Sequence, residues 1–306
     1  MRLIKSSYKI LPQAPGLDGV YEIIELAGRI CYKSYDKITE DSAKPFVDRM
    51  INSKHFAMLE HGTVYLDFTD DITEARKRYI KNPYSKVYKN TLEEDWAYPH
   101  LYVVTNFRII VENNWMDDLQ YICEPTEYHE KRMAVKFTTQ ISISREFNRH
   151  RVNSMAEQST RYCDYSGNNE KFEGVGINLP SWVDSEIQRL EDITENVLPT
   201  FEQLKEEYFS VSDQGITKDD WGDIEWWLWS SLIAEESYQN LRKLGRKPQE
   251  ARVVLPLDTN TELVHTAFIS DWEHFFELRD SNKAHPDMQA LAKPLHEEFK
   301  SIFSNV

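Results

Sequence analysis

Apolar positions recur along the chain in two periods. Over residues 17–32, Val20, Ile23, Ile24, Ala27, Ile30 and Cys31 return every three or four positions, which predicts a helix with one buried stripe. A second helix is expected from about Asp41, a candidate N-cap, to Asn52. "TVYLDF" (63–68) alternates as a half-buried strand does. Residues 69–132 read as an excursion: a charged helix ("DITEARKRYI"), a turn with Asn and Pro, a β-branched run ("LYVVTNFRIIV", 101–111) and a short acidic helix. "MAVKFTTQISI" (133–143) alternates again, and the pattern turns helical at "SREFNRHR" (144–151).

Further on, residues 183–208 carry a helical repeat that Pro199 should kink. Residues 220–244 carry another, through Ile224, Trp227, Leu228, Ser231, Leu232, Tyr238 and Leu241. Gly245 should end that helix and Pro248 restart the chain. "ARVVLPL" reads as a short buried strand stopped by Pro256, and "DWEHFFELRDS" as a helix. The cluster of Trp221, Trp226, Trp227 and Trp229 fits core and helix packing. No Gly-, Pro- or Ser-rich linker divides the sequence, so one domain over 1–306 with an elaborated middle is expected.

Composition narrows the function. The 306 residues are ample for a full core, and 41% hydrophobic content with 12% aromatics belongs to a folded protein. A formal net charge of -15 argues against nucleic acid as a broad partner. No apolar run is long enough to span a bilayer, and the N-terminal stretch lacks the apolar core of a signal peptide, so no membrane partner is expected. Cys31, Cys123 and Cys163 show no CxxC spacing, which points to a reducing, cytoplasmic setting and to no metal site.

Against that acidic background, "REFNRHRVNSMAEQSTRY" (145–162) gathers four Arg and one His. If 144–151 is helical, Arg145 and Arg149 share a face, and Arg149 is placed to hold Glu146. Two readings stand: a solvated basic face at a helix end, or a clamp for phosphate or carboxylate, to which Arg offers a bidentate fork. Ser159 lacks a G-x-S-x-G elbow and serves better as a hydroxyl donor to a phosphate beside Arg161 than as a nucleophile. In "HFAMLEH" (55–61), His55 and His61 are six apart, not a helical metal spacing. A hydrogen-bonded junction and a ligand contact both remain open there. No GxGxxG and no GxxxxGK[ST] occurs, so a nucleotide would not be held by a Rossmann or P-loop device.

"RHRVNSMAEQSTRY" resembles the signature of the flavin-dependent thymidylate synthases: RHR, seven residues, Ser, then "TRY". "RICYKS", "HFAMLEH", and "EARVVLPL" followed by "FFELRDSNKAHPDMQ" support it in the same order over residues 29–289. The resemblance implies an α/β (α+β) fold, with a mainly antiparallel sheet flanked by helices and an inserted region in the middle. It implies FAD as cofactor and a homotetramer with active sites shared between subunits. The reaction implied moves a methylene group from 5,10-methylenetetrahydrofolate to dUMP, with NADPH recharging the flavin, to give dTMP. Carried over by position, Glu146, Arg149, Glu157, Ser159, Arg161, Arg252 and Arg279 would meet dUMP, with Arg279 by the uracil ring as the catalytic group. His55, Glu60, Arg149, His150, Arg151, Glu157, Ser270 and His274 match cofactor positions. Glu146 stands where the family usually has Gln, Ala156 replaces Asn, Ala57 a hydroxyl residue, and Phe268 and Ser270 polar or basic flavin contacts. The rival expectations are a hydroxymethyl product from the same fold and a non-catalytic nucleotide-binding protein.

Overall fold

The computed structural model describes residues 1–89, 100–166, 174–183, 203, 206 and 221–303. Strands β1 (Arg2–Ile4) and β2 (Ser7–Leu11) lead into helix α1 (Gly16–Ile30). The apolar stripe foreseen for α1 is buried, with Ile24, Ala27 and Ile30 at 0% exposure. Helix α2 (Ala43–Asn52) follows. It starts two residues later than expected: Ser42, not Asp41, holds the N-cap position, and no side chain caps it. A 3-10 helix over Phe56–His61 then turns the chain into β3 (Thr63–Phe68).

The excursion adds helices and two strands to β3. It comprises α3 (Ile72–Tyr79), β4 (Lys86–Lys89), β5 (Leu101–Asn106), α4 (Phe107–Glu112) and a 3-10 turn at Met116–Tyr121. The β-branched run splits at Asn106, whose side-chain oxygen accepts from the Ile109 N–H at 3.2 Å and so caps α4. Strands β3, β5 and β4 form an antiparallel sheet in the order β3-β5-β4. Its inner face (Val64, Leu66, Val103) packs in one core with Ile24 of α1 and with Phe46 and Val47 of α2.

The chain returns through β6 (Arg132–Gln140), α5 (Ile141–Phe147), β7 (Ser154–Glu157) and β8 (Gly176–Asn178). The expected helix over 144–151 is shifted: α5 begins at Ile141 and ends at Phe147. His150 N–H then turns back to the Phe147 carbonyl at 3.0 Å, so Arg149 and Arg151 lie in turns. The helix foreseen at 183–208 falls almost wholly outside the described residues. Helix α6 (Asp223–Lys243) is where the periodicity put it, and Gly245, at φ +89, follows its end. Of the four tryptophans at 221–229 only Trp227 reaches the core; Trp226 is exposed, and Trp221 meets Trp226 edge-on and Trp229 at a tilt.

Pro248 opens the short α7 (Pro248–Ala251). "ARVVLPL" is then not a buried strand but a 3-10 turn at Arg252–Val254, with Val253 78% exposed. Among the described residues no strand pairs with it, and its backbone closes on itself, Leu255 N–H to Arg252 carbonyl at 3.1 Å. Strand β9 (Asn260–Phe268) and helices α8 (Ile269–Arg279) and α9 (Pro286–Phe303) complete the chain.

The principal sheet is antiparallel, in the order β2-β6-β9-β7, while β1 and β8 form a parallel pair. One face of β6 and β9 (Ala134, Val264) meets α1. The other face (Val135, Phe137, Leu263) meets α5, α8 and α9. This is the mixed architecture expected, and it leaves β7 on the rim of the sheet.

Candidate functional site

The basic cluster sits around that rim strand. Glu157 ends β7 opposite Leu263 of β9. Its carboxylate accepts from Thr261 Oγ1 at 3.1 Å and is hydrogen-bonded by Ser144 of α5, with Arg145 close by. Burial outweighs these contacts and holds its pKa above the ordinary carboxylate value. Beyond Glu157 the chain turns sharply. Ser159 N–H donates to the Cys31 carbonyl at 3.0 Å, Ser159 Oγ accepts from Arg161 N–H at 3.3 Å, and Arg252 donates to Thr160 Oγ1 at 2.9 Å. Glu157, Ser159 and Arg161 therefore lie along one turn, which Arg252 reaches through Thr160.

A second group joins α5 to α8. The Arg279 guanidinium forms an ion pair with Glu146, donates to the Glu146 carbonyl at 2.7 Å, and donates through Nε to His150 Nε2 at 3.1 Å. Arg279, not Arg149, holds Glu146. Because His150 accepts at Nε2, its imidazole is neutral with the proton on Nδ1. Burial, then Arg279 and His274, hold its pKa down to about 4. His274 is exposed, 6.2 Å from His150 ring to ring, and pairs with Glu277 at 3.4 Å.

The remaining candidates are dispersed. His55 is exposed at the start of the 3-10 helix. His61, at its end, is fully buried and bonds Thr266 Oγ1 at 2.8 Å. Glu60 pairs with Arg108 of the inserted module at 2.6 Å. Ser270 accepts from Lys86 Nζ at 2.6 Å, again tied to the insertion. Arg149 and Arg151 are exposed; the Arg149 N–H reaches the Glu146 carbonyl at 3.4 Å, but neither guanidinium makes an ion pair among the described residues.

Sequence reasoning did not foresee the cleft that adjoins this rim. A cavity of about 930 Å³ opens between α1, α2 and the 3-10 helix, lined by Arg29, Cys31, Tyr32, Lys37, Arg49, Lys54 and His55 among others. The Phe46 ring lies between the guanidiniums of Arg29 and Arg49, at 4.9 and 5.0 Å. Arg29 is neutralised by Glu25 at 2.6 Å. The cleft meets the Ser159 turn directly, through the Cys31 carbonyl and through Tyr32, whose ring is 5.0 Å from that of Tyr162. Its only sequence signal was the coincidence of "RICYKS" with His55. All three thiols are held protonated at neutral pH by burial: Cys31 is raised, and Cys123 and Cys163 are each pushed up to about 11. Among the described residues no group of His, Cys, Asp and Glu could hold a metal ion.

The antiparallel sheet thus carries an Arg-rich turn on its rim strand, beside a basic and aromatic cleft that offers positive charge and ring surface. A family model described as Thymidylate synthase complementing protein matches residues 125–304, more than half of the sequence, and the chain belongs to that family. A "Probable flavin-dependent thymidylate synthase" of Paramecium bursaria Chlorella virus 1 is 35% identical over 88 residues, 26% of this chain and 41% of that protein. The match thus spans less than half of the relative's length. Among solved structures, the UMP/dUMP methylase PolB from Streptomyces cacaoi is similar in its 5-Br dUMP form, with TM-score 0.40 and 15% identity over 98% of this chain and 93% of that one. In its 5-Br UMP form the values are 0.42 and 16%, over 98% and 92%. Likeness at that level carries no argument about fold or ligand.

Proposed function

We propose that this chain is a flavin-dependent thymidylate synthase, which binds FAD and dUMP, takes the methylene group of 5,10-methylenetetrahydrofolate and makes dTMP, with NADPH as reductant. The observation that carries this is four exposed guanidiniums, Arg145, Arg149, Arg151 and Arg161, that make no ion pair among the described residues of a chain with net charge -15. An acidic protein leaves such a cluster unneutralised where an anion completes it. The membership in the family supports the reading from the sequence side.

The residues present fit a flavin dinucleotide. Arg49, Lys37 and Lys54 offer charge for a pyrophosphate, and Phe46 and Tyr32 offer apolar ring surface, in a cleft of about 930 Å³. When bound, the flavin would supply a hydride. Arg149, His150, Arg151 and the cleft lip at His55 would hold it, with Glu60, Ser270 and His274 farther out. Ser159, Arg161 and Arg252 would take the phosphate of dUMP. Arg279 would serve the pyrimidine: a guanidinium that leaves Glu146 for a ring carbonyl stabilises the negative charge that builds as carbon 5 attacks. His150, neutral and accepting, fixes the Arg279 fork meanwhile. The protonated thiols favour this route over attack by a cysteine. A single domain over 1–306, a homotetramer with shared sites and a cytoplasmic location belong to the same reading. No described helix is long and apolar enough to cross a membrane.

The test is FAD itself. At a hundredfold excess over Kd, mass action contributes about 2.7 kcal/mol, a rise in Tm on the order of 5 °C. Quenching of flavin fluorescence should saturate over the same range. Unchanged Tm together with unquenched flavin would remove the cofactor, and with it this reading.

A further inference from the structure

A second cavity, of about 300 Å³, lies between the start of the chain, the inserted module and the start of β6. Much of its wall is apolar: Leu11, Val20, Ile23, Met133 and Ala134. The rest is positive. Arg132 lines it at 9% exposure, yet every hydrogen-bond partner of its guanidinium is neutral. Both Nη atoms donate to the Glu60 carbonyl at 3.2 Å, with Thr63 Oγ1 at 3.3 Å and Ser154 Oγ at 3.4 Å beyond. The carboxylate of Glu60 is occupied by Arg108, and Arg132 makes no ion pair among the described residues. The Glu60 and Asp271 carboxylates act on Arg132 only from beyond ion-pair distance. A buried cation with no paired counter-charge is costly, and an anion brought beside it recovers part of that cost.

Three further observations agree. Arg132 Nε and His61 Nε2, both on lining residues, are buried without a hydrogen-bond partner. Lys131 adds a second cation, set against one lining carboxylate, Glu124. Pro15 and Gly16 also line the cavity, and they begin α1, whose N-cap provides no side-chain hydrogen bond. The first amides of that 15-residue helix present a partial positive charge there, which Asp18 in the first turn offsets in part.

The geometry points to a binding site for a small organic anion of single charge, a carboxylate on an apolar body. The charge is set by two cations against one carboxylate, and the body by the apolar wall, which would strip water from a dianion without replacing it. Thr63 and Tyr65 close it from β3, Ile122 from the stretch after the 3-10 turn and Met133 and Ala134 from β6, so it straddles the start of the family match at residue 125. It does not depend on the nucleotide reading.

The probes are 4-bromobenzoate, its neutral amide 4-bromobenzamide, and inorganic phosphate, titrated calorimetrically into the full chain. The benzoate should bind at least about tenfold more tightly than the amide, and phosphate should give no saturable heat. Lys131→Ala should weaken the benzoate about fivefold, and Arg132→Met should abolish its binding. Should Arg132→Met fail to fold, crystals of the native protein soaked in 4-bromobenzoate remain decisive, because anomalous scattering from bromine must fall between Arg132 and Val20. Equal binding of benzoate and amide, binding of phosphate alone, indifference to Lys131→Ala, or bromine elsewhere would each overturn the proposal. Success or failure with FAD leaves every one of these outcomes readable.

Discussion

Replacing Glu146 by Gln isolates what the carboxylate does to Arg279. In the structure the pair is asymmetric: the Arg279 side chain is 12% exposed and that of Glu146 38%. The surface scale therefore applies, and the carboxylate holds the guanidinium by up to about 1 kcal/mol. Gln keeps the shape and one acceptor oxygen but removes the charge. The Glu146 carbonyl and His150 Nε2 still position Arg279, at 2.7 and 3.1 Å. Freed of a competing anion, Arg279 should engage a pyrimidine carbonyl more readily. The carboxylate would also no longer repel the nucleotide phosphate. About 1 kcal/mol is about fivefold in affinity. Calorimetric titration of dUMP into Glu146→Gln should thus give a Kd equal to the native value or up to about fivefold lower, with an unchanged Tm to within a few degrees. A Kd raised tenfold or more in a folded variant would refute the reasoning. It would mean that Glu146 accepts a hydrogen bond from the ligand, and a cytosine ring, which offers an amino donor, would replace uracil as the expected base.

Two other perturbations probe the same region. Arg279→Ala should slow single-turnover oxidation of reduced flavin, at saturating dUMP and methylenetetrahydrofolate, on the order of a hundredfold, with Arg279→Lys recovering part; a rate within a few-fold of native would assign Arg279 a structural role. Acid should destabilise the fold early, because His61 and His265 are held down to about 3 and His150 to about 4, each by burial first. A histidine whose folded pKa lies below its unfolded one takes its proton on unfolding. Its contribution is full above about pH 6.5 and is lost as pH falls toward the folded value. Three such groups should lower the urea unfolding free energy by roughly 3 kcal/mol between pH 6 and pH 5, and a loss below about 1 kcal/mol would show that these rings are charged in the fold.

Local pattern revealed the helices whose burial is one-sided and the alternating strands β3 and β6. The α1 stripe was legible because polar residues separate its apolar ones. Strand β9 was not, because "NTELVHTAF" is buried on both faces with only Glu262 partly exposed, and so shows no alternation. "ARVVLPL" has strand composition, but a strand needs a neighbour, and none pairs with it among the described residues. The Ser159 turn was legible because its residues are consecutive. The clamp on Arg279 was not, since it joins residues 133 apart in sequence. The family signature named both ends of that clamp but not their contact, and helix spacing offered Glu146 to Arg149 instead of Arg279.

The central claim is that this chain makes dTMP with a flavin. The most direct measurement is anaerobic turnover of the purified chain with FAD, NADPH, methylenetetrahydrofolate and dUMP, with the nucleotide product weighed by mass spectrometry. The account predicts a product heavier than dUMP by one CH₂ group, formed only when both FAD and NADPH are present. A product carrying an added hydroxymethyl group, or dUMP returned unchanged by a protein that has bound FAD, would contradict it.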